Sequence, residues 1–152
     1  MRVHVFRSEQ RVPRPVDEVF EFFSRAANLE RITPPWLSFS IDGQEPSPVT
    51  PGTLIAYRLR VHGMPMRWLT RIEQYVPGSH FVDLQLHGPY RLWHHRHEFQ
   101  DAGDGTTLVR DEVHYQLPLG ILGAIAHLLF VRADIRRIFE FRRQAIEQLL
   151  GG

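Results

Sequence analysis

Between Phe39 and Tyr115 the hydrophobic positions recur every second residue, and outside that stretch they recur every three or four. The first period belongs to a strand with one buried face, the second to an amphipathic helix. Turn-forming clusters interrupt the alternating region at DGQEPSPVTPG, HGMP, VPGS, HGPY and DAGDGT. Connections this short join antiparallel neighbours. The pattern predicts about six such strands here, with a further strand of mixed pattern over residues 2–12.

Two helical stretches flank the region. Val16, Val19, Phe20 and Phe23 form one stripe, with Asp17 and Glu18 in the first turn, where the helix dipole favours anions. Asn28 is the expected cap of a second short helix that Pro34 and Pro35 stop. Beyond Pro118 the helical period returns. Ile135, Ile138, Phe139, Ile146 and Leu149 share a face of a long final helix, opposite Arg132, Arg136, Glu140, Arg143 and Glu147. The class is α+β. A half-buried sheet needs a cover, and the final helix is the one large element able to supply it.

The alternation also sorts the side chains. In LWHHRHEF, residues 92–99, three histidines crowd into four positions, but Trp93, His95, His97 and Phe99 share the inward face and His94 points out. On the following strand Val109, Asp111, Val113 and Tyr115 point inward. Depending on hairpin register, Asp111 lies opposite His95 or His97, and Trp93 opposite Val113 or Tyr115. Two earlier strands contribute Ile55, Tyr57, Leu59 and Val61, and Met66, Trp68, Thr70 and Ile72. In FVDLQLH simple alternation sends Val82, Leu84 and Leu86 inward and leaves Asp83 and Gln85 in water; a bulge at Gly88-Pro89 would reverse that parity. An inner surface this rich in Tyr, Trp and His suits a cavity for an amphiphilic molecule better than a closed aliphatic core.

Composition narrows the chemistry. The 152 residues fit one domain, 1–152, large enough to fold without a disulfide or metal. Cysteine is absent, which removes thiolate catalysis and Cys-ligated zinc. All 18 basic residues are arginine, so Schiff-base lysine chemistry is excluded. With 17 acidic residues in balance, no nucleic-acid partner is expected. The N-terminus lacks the apolar core of a signal peptide, and the most apolar run, residues 119–131, is too short to span a bilayer, so a cytoplasmic protein without stable membrane insertion is expected. That run is read as the apolar start of a core helix in preference to a portal that touches membranes.

His95, His97 and Asp111 would compose a two-His, one-carboxylate metal set. The same pattern satisfies itself by hydrogen bonding, and no metal or cofactor is expected. A His–Asp pair near Tyr115 could also serve as general acid and base, but no residue pattern demands catalysis, and no catalytic residue is assigned. Trp36, in ITPPWL, either closes the cavity mouth or caps the core. Arg58, Arg60, Arg67 and Arg71 are read as a solvated outer face.

PVDEVFEFFSRAANLERITPPWL near the start resembles the N-terminal signature of the SRPBCC superfamily, which includes START lipid-transfer domains, pollen-allergen-like proteins and polyketide cyclases. FVDLQLHGPYRLWHHRHEF and GTTLVRDEVHYQLPLG resemble strands of a bacterial ligand-binding branch of it. The resemblance implies a helix-grip fold: a curved, seven-stranded antiparallel sheet around a long C-terminal helix, two short helices after the first strand, and a deep cavity. It places Asp83, Gln85, Trp93, His95, His97, Asp111 and Tyr115 at recurring positions, which favours the bulged reading of the Asp83 strand. With Trp36, Tyr57, Trp68 and Phe139 these are the expected ligand contacts. The implied function is binding of a small hydrophobic or aromatic, lipid- or polyketide-like ligand as carrier or sensor, with a cyclase- or dehydratase-like enzyme as the alternative and an interaction protein with a vestigial cavity as a third class. Oligomeric state is not implied.

Overall fold

Seven strands form one antiparallel sheet in a computed structural model that describes residues 2–151. The strands are β1 (His4–Val12), β2 (Ser40–Ile41), β3 (Leu54–Val61), β4 (Met64–Val76), β5 (His80–His87), β6 (Leu92–Asp101) and β7 (Thr107–Gln116), in the spatial order β1-β7-β6-β5-β4-β3-β2. Helices α1 (Val16–Ser24) and α2 (Ala26–Arg31) and a 3-10 turn (Pro35–Leu37) follow β1. After β7 come α3 (Gly120–Ala126), a π-helical turn (His127–Val131) and α4 (Arg132–Leu150). This is the helix-grip architecture.

Consecutive strands from β2 to β7 pair with their sequence neighbours, β3 to β7 through short connections and β2 to β3 through residues 42–53; β1 reaches across the chain to β7. One half of α4 sits on solid core. Ala145, Ile146 and Leu150 pack with Val12, Val19, Phe20, Phe81, Phe99 and Val109. Toward its N-terminus α4 contributes Ile135 and Phe139 to a smaller cluster with Val113 and Tyr115, and a third cluster gathers Ala26, Ile55, Tyr57 and Ile72. The molecule is therefore packed at one end and hollow at the other.

Several expectations are corrected. Asn28 does not cap α2, whose N-cap is Arg25; it lies inside α2 and donates to the Phe22 carbonyl at 2.9 Å, satisfying the end of α1. The run 119–131 does open the long C-terminal helix, its backbone staying right-handed helical through the π turn into α4, but most of its large side chains are exposed and do not join the core. Leu119 and Gly120 both take left-handed backbone (φ 71° and 52°) at the entry to α3, and the π turn is a local widening between α3 and α4. Gly123 is the buried residue of α3, set against the Pro118 carbonyl where no side chain would fit. Among the described residues no helix is long and apolar enough to cross a membrane.

The β5 parity is settled by pairing. Phe81 lies opposite His97 and Asp83 opposite His95, so Phe81, Asp83 and Gln85 share the inward face. The bulges are not at Gly88-Pro89. One extra residue is Leu86 in β5 and the other Glu73 in β4, where the β4–β5 register shifts.

Candidate ligand-binding cavity

A cavity of about 1000 Å³ lies between the sheet and the N-terminal half of α4. This is the upper end of the usual range for ligand pockets. Its walls come from β3 (Tyr57, Leu59, Val61), β4 (Trp68, Thr70), β6 (Trp93, His95, His97) and α4 (Ile135, Ile138, Phe139, Arg142), with Trp36 of the 3-10 turn and Leu119 and Leu122 of the α3 segment at its margin. The aromatic wall is interlocked. Trp68 and Trp93 meet edge to face at 5.4 Å between centroids, and Tyr90 lies 4.8 Å from Trp93. The Trp68 indole N–H is satisfied by Thr70 Oγ1 at 3.0 Å.

The inner end is polar and its pairing is crossed. Across the strands His97 sits opposite Asp111, and Asp83 opposite His95. The hydrogen bonds run along the diagonals instead: His97 Nε2 to Asp83 Oδ2 at 2.5 Å, and His95 Nε2 to Asp111 Oδ1 at 2.8 Å. Diagonal neighbours on a sheet face lie within reach of long side chains. The crossing stacks the two imidazoles, 3.6 Å between centroids, and Phe81 covers the other side of His97 at 4.1 Å. From α4, Arg142 Nη2 donates to Asp111 Oδ1 at 3.3 Å, its guanidinium lodged between Phe23 and Phe139.

Burial and the adjacent His95 push the His97 imidazole down to about 4, outweighing its carboxylate partners. Burial alone would raise the Asp83 carboxyl; the His97 hydrogen bond, with His95 and Arg142 nearby, holds it below its ordinary value. Asp111 is likewise held well below, since Arg142 and the His95 hydrogen bond outweigh its burial. At neutral pH His97 is thus neutral and donates through Nε2 to ionised Asp83. Its Nδ1 is buried and makes no hydrogen bond, with Asp111 Oδ1 3.5 Å away. Burial, then Asp83, Glu45 and Glu30, raise the Tyr57 phenol and keep it protonated.

Asp83, His95 and His97 each offer one ligand atom, all within 4.8 Å of one another, so Asp83 supplies the carboxylate of this candidate set. Asp111 is instead committed to Arg142, and both Nε2 atoms already bond carboxylates.

Residues 12–140 match the family model described as polyketide cyclase / dehydrase and lipid transport. The chain belongs to this family. A comparison with curated proteins found no match. Among solved structures the chain is similar to TTHA0849 from Thermus thermophilus, at 20% identity and TM-score 0.67 over 95% of each chain. It is also similar to a START superfamily protein from Mycobacterium smegmatis (14%, TM-score 0.67, over 96% of this chain and 99% of that one) and to the Zhui aromatase/cyclase from Streptomyces sp. R1128 (14%, TM-score 0.66, over 97% and 96%). At these identities the likeness concerns the fold alone.

Within this polyketide cyclase family fold, the structure brings Trp36, Tyr57, Trp68, Asp83, Trp93, His95, His97 and Phe139 to the cavity. Trp36 stays half exposed, its ring against Phe141 and under the Arg137 guanidinium. Three expected contacts stand elsewhere. Gln85 is buried but clamps the β5–β6 loop, its Nε2 donating to the Tyr90 carbonyl at 2.6 Å and its Oε1 accepting from the Tyr90 N–H at 3.1 Å. Asp111 supports His95 from behind. Tyr115 bonds His127 Nε2 through its hydroxyl at 2.8 Å.

Tyr90 and Arg142 are among the lining residues the sequence did not point to. Tyr90 sits in a turn cluster, where alternation says nothing. Arg142 falls three positions after Phe139, on the apolar stripe; that spacing was the available signal, masked because arginine reads as solvent-facing.

Proposed function

We propose that residues 1–152 form one ligand-binding domain that holds a small, largely apolar molecule with a hydroxyl or carbonyl group, as carrier or sensor. The observation that carries this reading is the large cavity with an aromatic wall and one polar end. The apolar body would lie against Trp68, Trp93 and Tyr90, and the polar group would meet Asp83, His95 and the Tyr57 hydroxyl. Family membership supports a hydrophobic ligand. The polar end holds two carboxylates, Asp83 and Asp111, against one guanidinium, Arg142. Neutral heads that donate a hydrogen bond are therefore favoured over free fatty acids, whose carboxylate would face Asp83.

A second reading has its own support. A neutral imidazole beside an ionised carboxylate, both lining the cavity, is the arrangement of a general base, as a cyclase- or dehydratase-like enzyme needs. The neighbouring aromatase/cyclase fold is compatible with it. Native mass spectrometry of ligand copurifying from the producing cell, followed by calorimetric titration with 1-naphthol and with fatty acids, tests both. A ligand recovered unchanged supports the carrier; a bound product lighter by one water supports the dehydratase. Tight binding confined to carboxylates would refute the assigned head group.

A further inference from the structure

The run 119–131 is folded inside out. Its one side chain able to hydrogen-bond, His127, turns to the protein: Nε2 meets the Tyr115 hydroxyl at 2.8 Å and the ring stacks on His4 at 3.5 Å. Its large aliphatic residues turn away. Ile121 is 80% exposed, Leu128 75%, Leu119 74%, Leu122 65% and Leu129 60%. Folding in water selects the opposite arrangement, and a contiguous apolar surface of this kind marks a contact with something other than water.

Three further observations say what covers it. Leu119, Leu122 and Phe130 of this segment also line the cavity, so the patch continues into the cavity wall. The flanking charge is basic: Arg132, Arg136 and Arg137 follow the run, and the sole acid between Glu112 and Glu140, Asp134, is bonded to His62 Nε2 at 2.7 Å. Arg2 and Arg132 also bear on the segment's own His127, which burial, then His4, Arg132 and Arg2, holds below its ordinary value. An apolar face edged with arginines is complementary to the acyl–headgroup boundary of an anionic bilayer, where an interfacial helix seats its apolar side about 5–10 Å deep.

We propose that α3 and the π turn form a peripheral docking surface for anionic phospholipid membranes, through which the cavity exchanges its ligand with the bilayer. The ligand-exchange clause rests on the binding role proposed above; the docking surface does not. Attachment is reversible and in the plane of the interface, since the segment is too short to span.

The test uses the full chain and vesicle flotation with phosphatidylcholine alone or with a third of phosphatidylglycerol. Wild type is expected to float with the mixed vesicles, weakly with the neutral ones, and less as ionic strength rises. Ile121→Glu/Leu128→Glu, both outside the cavity lining, should reduce partitioning roughly tenfold or more. Arg132→Gln/Arg136→Gln should remove the preference for anionic lipid. Both variants should keep the wild-type melting temperature and titrate the neutral probe N-phenyl-1-naphthylamine as wild type does. Failure of wild type to float, or equal flotation with both vesicles, overturns the proposal. So does a dimer in light scattering that Ile121→Glu/Leu128→Glu dissociates, because the patch is then the interface of a second copy. Loss of probe binding by wild type, with flotation intact, refutes the cavity reading and leaves the surface standing.

Discussion

Asp111→Asn is expected to be a stability variant. Asp111 is 7% exposed and carries two bonds, from His95 Nε2 at 2.8 Å and from Arg142 Nη2 at 3.3 Å. Asparagine keeps the shape, and its oxygen can still accept from His95. What it removes is the anion facing a guanidinium that is itself 7% exposed and whose Nε has no partner. Taking one member from a buried ion pair costs about 3–5 kcal/mol, because the remaining charge is left uncompensated. In a chain of this length each kcal/mol moves the midpoint by about 2–4 °C, so Asp111→Asn should melt about 6–20 °C below wild type. The double variant Asp111→Asn/Arg142→Met removes the second charge and leaves an apolar chain between Phe23 and Phe139, which the guanidinium now contacts at 5.4 and 5.6 Å. It should recover most of the loss, since replacing both members of such a pair by apolar groups is often near neutral. Urea unfolding followed by circular dichroism would complete the double-mutant cycle. A loss under about 1 kcal/mol for Asp111→Asn, or a double variant no more stable than the single one, would refute the reasoning that this pair is a coupled buried unit.

Trp93→Ala should weaken apolar ligands whatever their head group. The ring carries about 150–250 Å², and removing a third of that area from contact costs about 1–2 kcal/mol at ~25 cal/mol per Å²; calorimetry of hydroxylated and unsubstituted aromatics should show equal losses. Gly88→Ala would set a Cβ 2.6 Å from Gln85 Oε1 and disturb the clamp on Tyr90, lowering stability by about 1–3 kcal/mol. Gln85→Ala, which leaves the Tyr90 N–H unmade, should cost a similar amount by thermal unfolding, and the double variant should fall short of the sum. Stability should also fall on acidification. His97, faced by Asp83 of β5, His95 of β6, Asp111 of β7 and Arg142 of α4, resists protonation until about 4, whereas in the unfolded chain it titrates near 6.5. The unfolded state therefore binds the extra proton as pH drops through that window, which removes about 3 kcal/mol. Asp83 and Asp111, held below their ordinary values, add a loss of the same sign at lower pH. Unfolding midpoints that stay level from pH 7 to 4 would contradict this.

Periodicity marked about six strands between Phe39 and Tyr115, the first short helix and the amphipathic last helix, because backbone geometry ties a period of two or 3.6 directly to a buried face; the strand over residues 2–12 had a mixed pattern, and the second helix was read from its flanking cap and proline residues. Periodicity also separated His94 from His95 and His97 before any contact was known. The ambiguity at Asp83 lay beyond its reach: both parities of FVDLQLH put plausible residues inside, and the choice was made by which residues of β6 the strand met, Asp83 against His95. The crossed hydrogen bonds and the arrival of Arg142 at Asp111 depend on diagonal distances and on where α4 crosses the sheet, neither of which is written in local sequence. The same holds for Gln85 and Tyr115, inward by alternation but committed to the Tyr90 loop and to His127. A hydrophobic run states that burial is favourable and not against what; only the tertiary structure decided that the first turns of the C-terminal helix stay exposed, because the packed core meets α4 further along, at Ile135, Phe139, Ala145, Ile146 and Leu150.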